Sequence, residues 1–72
     1  MAISRDLLEI WFNYHAPDPD QQIAYAKLRS SAFGFALAVL ELTPACADQT
    51  AAIRKIREAV MTANAAIACK GQ

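Results

Sequence analysis

Proline and glycine are placed so sparsely in this chain that they dictate its architecture. Prolines occur only at positions 17, 19 and 44, and glycines only at 34 and 71. Proline locks φ and lacks an N–H, so helix interiors reject it and helix starts tolerate it. Two proline-free stretches remain, one from Asp20 to Thr43 and one from Ala47 to Cys69. Both are rich in alanine and leucine-like residues, which favour helix. The expected fold is all-α: an antiparallel helical hairpin with a short N-terminal helix.

Local signals sharpen the boundaries. Ser4 can cap a short helix through Phe12, with Leu7, Leu8 and Trp11 on one face. Asn13 to Pro17 breaks that pattern. Asp18-Pro19-Asp20-Gln21 is a helix start, with aspartate at the cap, proline first and glutamine three residues after the cap. Gly34 is the one interior glycine and predicts a close contact, since it costs about 1 kcal/mol against alanine. Thr43 to Ala47 reads as a turn, and Lys70-Gly71 as the stop of the last helix. One domain over 1–72 is expected, divided into an arm and turn (1–17), a first long helix (18–43) and a second (46–70).

In the second helix, Ile53, Ile56, Val60, Ala63 and Ile67 step by three and four, a heptad seam. Ala52, Ala59 and Ala66 form a second stripe one position earlier. Two apolar stripes exceed what one neighbouring helix can cover. The chain is 56% hydrophobic over 72 residues, and a chain so short buries only about 60% of its unfolded surface. Self-association is the natural outcome.

Several function classes are excluded or disfavoured. Seven basic and seven acidic residues cancel, which argues against a DNA-coating protein but not against a small anionic ligand. The N-terminal MAISRDLLEIW lacks the apolar run of a signal peptide. No run of roughly 18 apolar residues is found, Ala32 to Leu40 being the longest, so no membrane span is expected. Cys46 and Cys69, 23 residues apart on one helix, would be about 34 Å apart, beyond disulfide reach. Free thiols suit a reducing cytosol. A single histidine, His15, and two distant cysteines make no metal site. Cys46 has no base beside it, so a small structural cysteine is the better reading than a nucleophile. Arg54, Lys55, Arg57 and Glu58 read as a solvated face with an Arg54–Glu58 pair.

The stretch FNYHAPDPDQQIAYAKLR, Phe12 to Arg29, concentrates the chain's chemical variety. Tyr14 and His15 precede the turn; Lys27 and Arg29 follow about two turns into the helix. An aromatic face and two cations are the chemistry for stacking a base and neutralising phosphates. Residue chemistry alone leaves a second reading open, a tyrosine packed on a helix and two surface cations.

Together with IRKIREAVMTANAAIACK near the other end, this stretch resembles the phage anti-CBASS sponge proteins, which share a hairpin domain with a group of Thoeris anti-defence proteins. The shared pattern reads here as Tyr14-His15, Pro17, Gln22, Tyr25, Arg29, Pro44 and the run Met61 to Ala68. It covers roughly Phe12 to Lys70. The resemblance implies a homohexamer that sequesters cyclic nucleotide messengers without cleaving them, needing no cofactor and acting in the cytoplasm of the infected bacterial host. It implies that cyclic dinucleotides such as cyclic GMP-AMP sit between subunits, stacked on Tyr14 beside His15 and held by Arg29, with Lys27 as the alternative cation. It further implies a threefold pocket for cyclic trinucleotides using Ser31 and Lys70. A cyclic ADP-ribose isomer is another messenger of this kind. Ala16 stands where the family often has a second proline, and Cys46 where a capping serine is common. Cys69 replaces a frequent arginine, leaving Lys70 one residue on, a step of about 100° on a helix. Two competing readings are a purely structural or protein-binding hairpin and, behind it, a nucleotide-processing enzyme.

Overall fold

The computed structural model describes residues 2–72. Three helices are present, α1 (Arg5–Phe12), α2 (Pro19–Leu42) and α3 (Ala47–Ala68), and there is no strand among the described residues. Each boundary has a local cause. Ser4 Oγ accepts from the Leu7 N–H at 3.1 Å, and Asp6 in the first turn of α1 complements the helix dipole. Asp18 and Gln21 form a reciprocal capping box: the Gln21 N–H donates to Asp18 Oδ1 at 2.8 Å, and the Asp18 N–H to Gln21 Oε1 at 3.0 Å. At its other end, α2 closes on Thr43, whose N–H and hydroxyl both donate to the Val39 carbonyl.

Cys46 takes the N-cap position of α3 without a side-chain bond. The Thr50 N–H donates to its carbonyl instead. The end of α3 is better built. Gly71 N–H donates to the Ala66 carbonyl at 2.9 Å and Lys70 N–H to the Ile67 carbonyl at 3.2 Å. These two bonds define a Schellman motif with Lys70 in its left-handed position, at φ 52°. Glycine usually fills that place, because a Cβ there crowds the carbonyl.

Two glutamine side chains fix α2 and α3 as antiparallel. Gln21 Nε2, at the start of α2, donates to the Ile67 carbonyl near the end of α3 at 3.1 Å. Gln49 Nε2, at the start of α3, donates to the Leu40 carbonyl at 3.2 Å and to the Thr43 carbonyl at 3.0 Å. Between these clamps Ala24, Tyr25, Leu28, Ala32 and Val39 are half-buried on α2, and Ile53, Ile56, Val60, Ala63 and Ile67 on α3. The heptad seam therefore faces α2. Ala59 and Ala66, from the second stripe, stay exposed.

That seam is all the shelter one chain provides. Leu7 is the one buried residue among those described, and no side chain is fully enclosed. Trp11, Phe12, Ile23, Phe33, Phe35, Leu40, Leu42 and Met61 are all more than two-fifths exposed. The accessible surface is 5836 Å², against about 4,400 Å² for a compact monomer of this mass.

Three expectations need correcting. A Cβ placed on Gly34 would meet nothing within 4 Å, so the close contact does not exist inside one chain. The Arg54–Glu58 pair does not form; among the described residues the ion pair is Arg5–Glu9, at 3.4 Å and exposed. An exposed pair gains only about 0.3–0.5 kcal/mol, too little to fix two long side chains. Finally, α2, at 24 residues, is long and apolar enough to cross a membrane by length and composition, and its apolar stretch is not buried. Every 18-residue span of α2 contains both Lys27 and Arg29, each costing about 2.5–3.5 kcal/mol near a bilayer centre.

Candidate functional site

The turn between α1 and α2 presents Tyr14 with its side chain outward, 86% exposed. The geometry follows from its neighbours. His15 Nε2 lies 2.6 Å from the Ile10 carbonyl, in the last turn of α1. Pro17 precedes the capping residue and restricts the approach to α2. Gln22 Nε2 donates back to the Pro17 carbonyl at 3.4 Å. His15 thus closes the turn from one side and Gln22 from the other, and Tyr14 projects from between them. An exposed phenol ring held on a short, tied turn is a platform for stacking.

Lys27 and Arg29 are both exposed on α2. Two residues apart on a helix, they point about 200° apart. Arg29 shares its face with Tyr25 and Phe33, four residues to either side. Lys27 shares its face with Ile23 and Ser31. The two cations therefore leave α2 from nearly opposite faces. Arg29 also lies about 15 Å along the axis from Pro19, where the Tyr14 turn joins α2.

Ser31 lines a groove of about 340 Å³ between α2 and α3, together with Leu28, Ala32, Phe35, Ala59 and Val60. Lys70 lines a different cleft, of about 230 Å³, with His15, Ile10 and Cys69. Within one chain the structure therefore separates Ser31 from Lys70 and brings Lys70 to His15. The 100° helical step does not apply to Lys70, because the residue lies beyond the helix in the left-handed position.

Contacts between residues far apart in sequence hold this end together. Trp11 Nε1 donates to the Gln72 carbonyl at 2.9 Å, tying α1 to the end of the chain. Cys69 Sγ approaches the Ile10 carbonyl at 3.9 Å, sharing that acceptor with His15. An indole N–H at a packed surface seeks an acceptor, which is the one clue the sequence offered for Trp11. Both cysteines are free, Cys46 exposed and Cys69 half-buried at opposite ends of α3. Asn64 Oδ1 is buried and unpaired.

Among the described residues no three histidine, cysteine or carboxylate side chains converge on a metal position. What the surface offers is an aromatic ring on a rigid turn, cations on two faces of α2, and extensive apolar area: the makings of a binding hairpin. The chain matches the family described as Acb2/Tad1, hairpin domain, over residues 5–68. It belongs to that family, the sponge-type domains of anti-CBASS and Thoeris anti-defence proteins. No curated protein and no solved structure matched the chain.

Proposed function

We propose that this protein is a phage-encoded sponge: a homohexamer that binds cyclic oligonucleotide messengers at subunit boundaries and holds them uncleaved. Free messenger falls, and CBASS-type signalling in the cytoplasm of the infected bacterium is blocked. The observation that carries this reading is the exposed Tyr14 ring, on a turn that His15 ties to the Ile10 carbonyl within the family's hairpin domain. An exposed aromatic on a braced turn loses little freedom on stacking, so little of the stacking energy is spent on ordering.

Tyr14 supplies the base platform and Arg29 the phosphate contact for a cyclic dinucleotide such as cyclic GMP-AMP. The rise of α2 between them favours contributions from two different subunits. Lys27 serves a ligand on the opposite face, the same face as Ser31. Cyclic trinucleotides would use Ser31 with Lys70; the two are apart in one chain, so that pocket requires several chains. His15 supports the turn from the Ile10 carbonyl more than it contacts ligand.

Sequestration needs excess protein and a slow off-rate rather than turnover. A competing reading, a hairpin that only assembles or binds protein, is favoured by the large exposed apolar area. Incubating the protein with cyclic GMP-AMP, removing unbound material and denaturing the complex separates the possibilities. Recovery of intact ligand supports a sponge, recovery of linear product an enzyme, and no retained nucleotide the structural hairpin.

A further inference from the structure

We propose that one subunit also carries a nucleotide-binding cleft of its own, at the clasp of α1 on the end of α3, with Trp11 as its base platform and Lys70 as its phosphate contact. Two adjoining cavities make the cleft. The first, about 430 Å³, is walled by Trp11, Thr62, Ala65 and Ala66. The second holds His15 and Lys70, and the two share Cys69 and Gln72. The first volume falls in the range of small-molecule sites.

Each wall has a chemical use. The indole of Trp11 is 42% exposed, yet its N–H is fixed on the Gln72 carbonyl, so one ring orientation is set before any ligand arrives. Ala65 and Ala66 leave space above the helix backbone for a flat ring. Thr62 offers one hydroxyl that can donate or accept, which suits a base edge without selecting between purines. The adjoining cavity is lined by Lys70, which is exposed. The C-terminal end of a helix ordinarily repels anions. Here the Schellman bonds occupy the Ala66 and Ile67 carbonyls, and Lys70 adds a full positive charge beyond them. An aromatic slot joined to a cationic one matches a base joined to a phosphate.

This cleft rests on the proposed preference for nucleotides but not on Tyr14, Arg29 or the subunit boundary. The chain has a single tryptophan, so intrinsic fluorescence reports on the site directly. The full-length protein, at fixed concentration, is titrated with adenosine 5′-monophosphate and, in parallel, with ribose 5-phosphate. Saturable quenching by the nucleotide and none by the sugar phosphate is expected. Lys70→Ala should raise the half-saturation concentration about tenfold, the effect of one charge-assisted contact. Ala66→Leu should abolish quenching by filling the slot, and Thr62→Val, a gentler change, should weaken it while the helical spectrum is retained. Absence of quenching overturns the proposal, as does quenching that is linear in nucleotide and indifferent to Lys70→Ala and Thr62→Val. A tryptophan signal that shifts on protein dilution but not with nucleotide makes the slot a subunit contact and also overturns it. If quenching fails while cyclic GMP-AMP still binds in a Tyr14-dependent manner, this cleft is lost and the sponge reading stands.

Discussion

Gln21 joins the two ends of the hairpin: its side-chain oxygen closes the cap of α2 on the Asp18 N–H, while its amide nitrogen donates to the Ile67 carbonyl of α3 at 3.1 Å. One side chain thus serves a local and a long-range role. Gln21→Ala removes both and should cost about 1–2 kcal/mol. Gln21→Glu keeps the cap acceptor, loses the donor, and should fall between the two. Thermal melts at one protein concentration check the order, since assembly makes the midpoint concentration-dependent.

Assembly should depend on the exposed alanine stripe. Ala59 lines the groove beside Ser31, Phe35 and Val60 and is exposed in one chain. Ala59→Leu fits within that groove without disturbing the hairpin, but overpacks any subunit seated there, at about 1–3 kcal/mol. Light scattering should show a smaller particle with an unchanged helical spectrum. An intact hexamer carrying leucine at 59 would place the contact elsewhere.

The helix boundaries were legible because each had a chemical marker: Ser4, the Asp18–Gln21 box, Thr43-Pro44 and Lys70-Gly71. The seam from Ile53 to Ile67 was legible from its spacing and does face α2. Gly34 misled because a glycine inside a helix signals a close approach only by default, and here nothing lies within 4 Å of it. Arg54 and Glu58 misled because correct helical spacing permits an ion pair without enforcing one. The clamps of Gln21 and Trp11 join residues 46 and 61 positions apart, so no local pattern could announce them. For the site, types and spacing named Tyr14, Arg29 and Lys27, but the 200° between the cations follows only once α2 is continuous through both.

His15 should act as a positioning residue. Its Nε2 lies 2.6 Å from the Ile10 carbonyl, which ties the turn carrying Tyr14 back to α1. His15→Ala should weaken cyclic dinucleotide binding about three- to tenfold, the loss of about one hydrogen bond. His15→Gln restores a donor and should recover most of the affinity. A ligand-contacting histidine would not be rescued this way, so equal losses in both variants would return His15 to the ligand.

Lys70 sets stability against function. Its left-handed φ of 52° is unfavourable for a residue with a Cβ. Lys70→Gly should stabilise the fold by about 1 kcal/mol in a denaturant melt. The same change should weaken nucleotide binding at the α1–α3 clasp. Stability that falls on this substitution would mean that the Lys70 side chain makes a contact worth more than the strain.

Binding of a cyclic dinucleotide at Tyr14 is the claim on which the rest depends. Isothermal calorimetry with cyclic GMP-AMP, run on the parent protein and on Tyr14→Ala, Arg29→Ala and Arg54→Ala with particle mass checked in each, tests it most directly. One base stack contributes about 1–3 kcal/mol and one charge-assisted contact about 1.5–3 kcal/mol. Tyr14→Ala and Arg29→Ala should each lose about tenfold to a hundredfold in affinity, Arg54→Ala should bind like the parent, and all should remain hexamers. Full affinity in the Tyr14 and Arg29 variants with loss in Arg54→Ala, or no heat of binding in the parent at all, would contradict it.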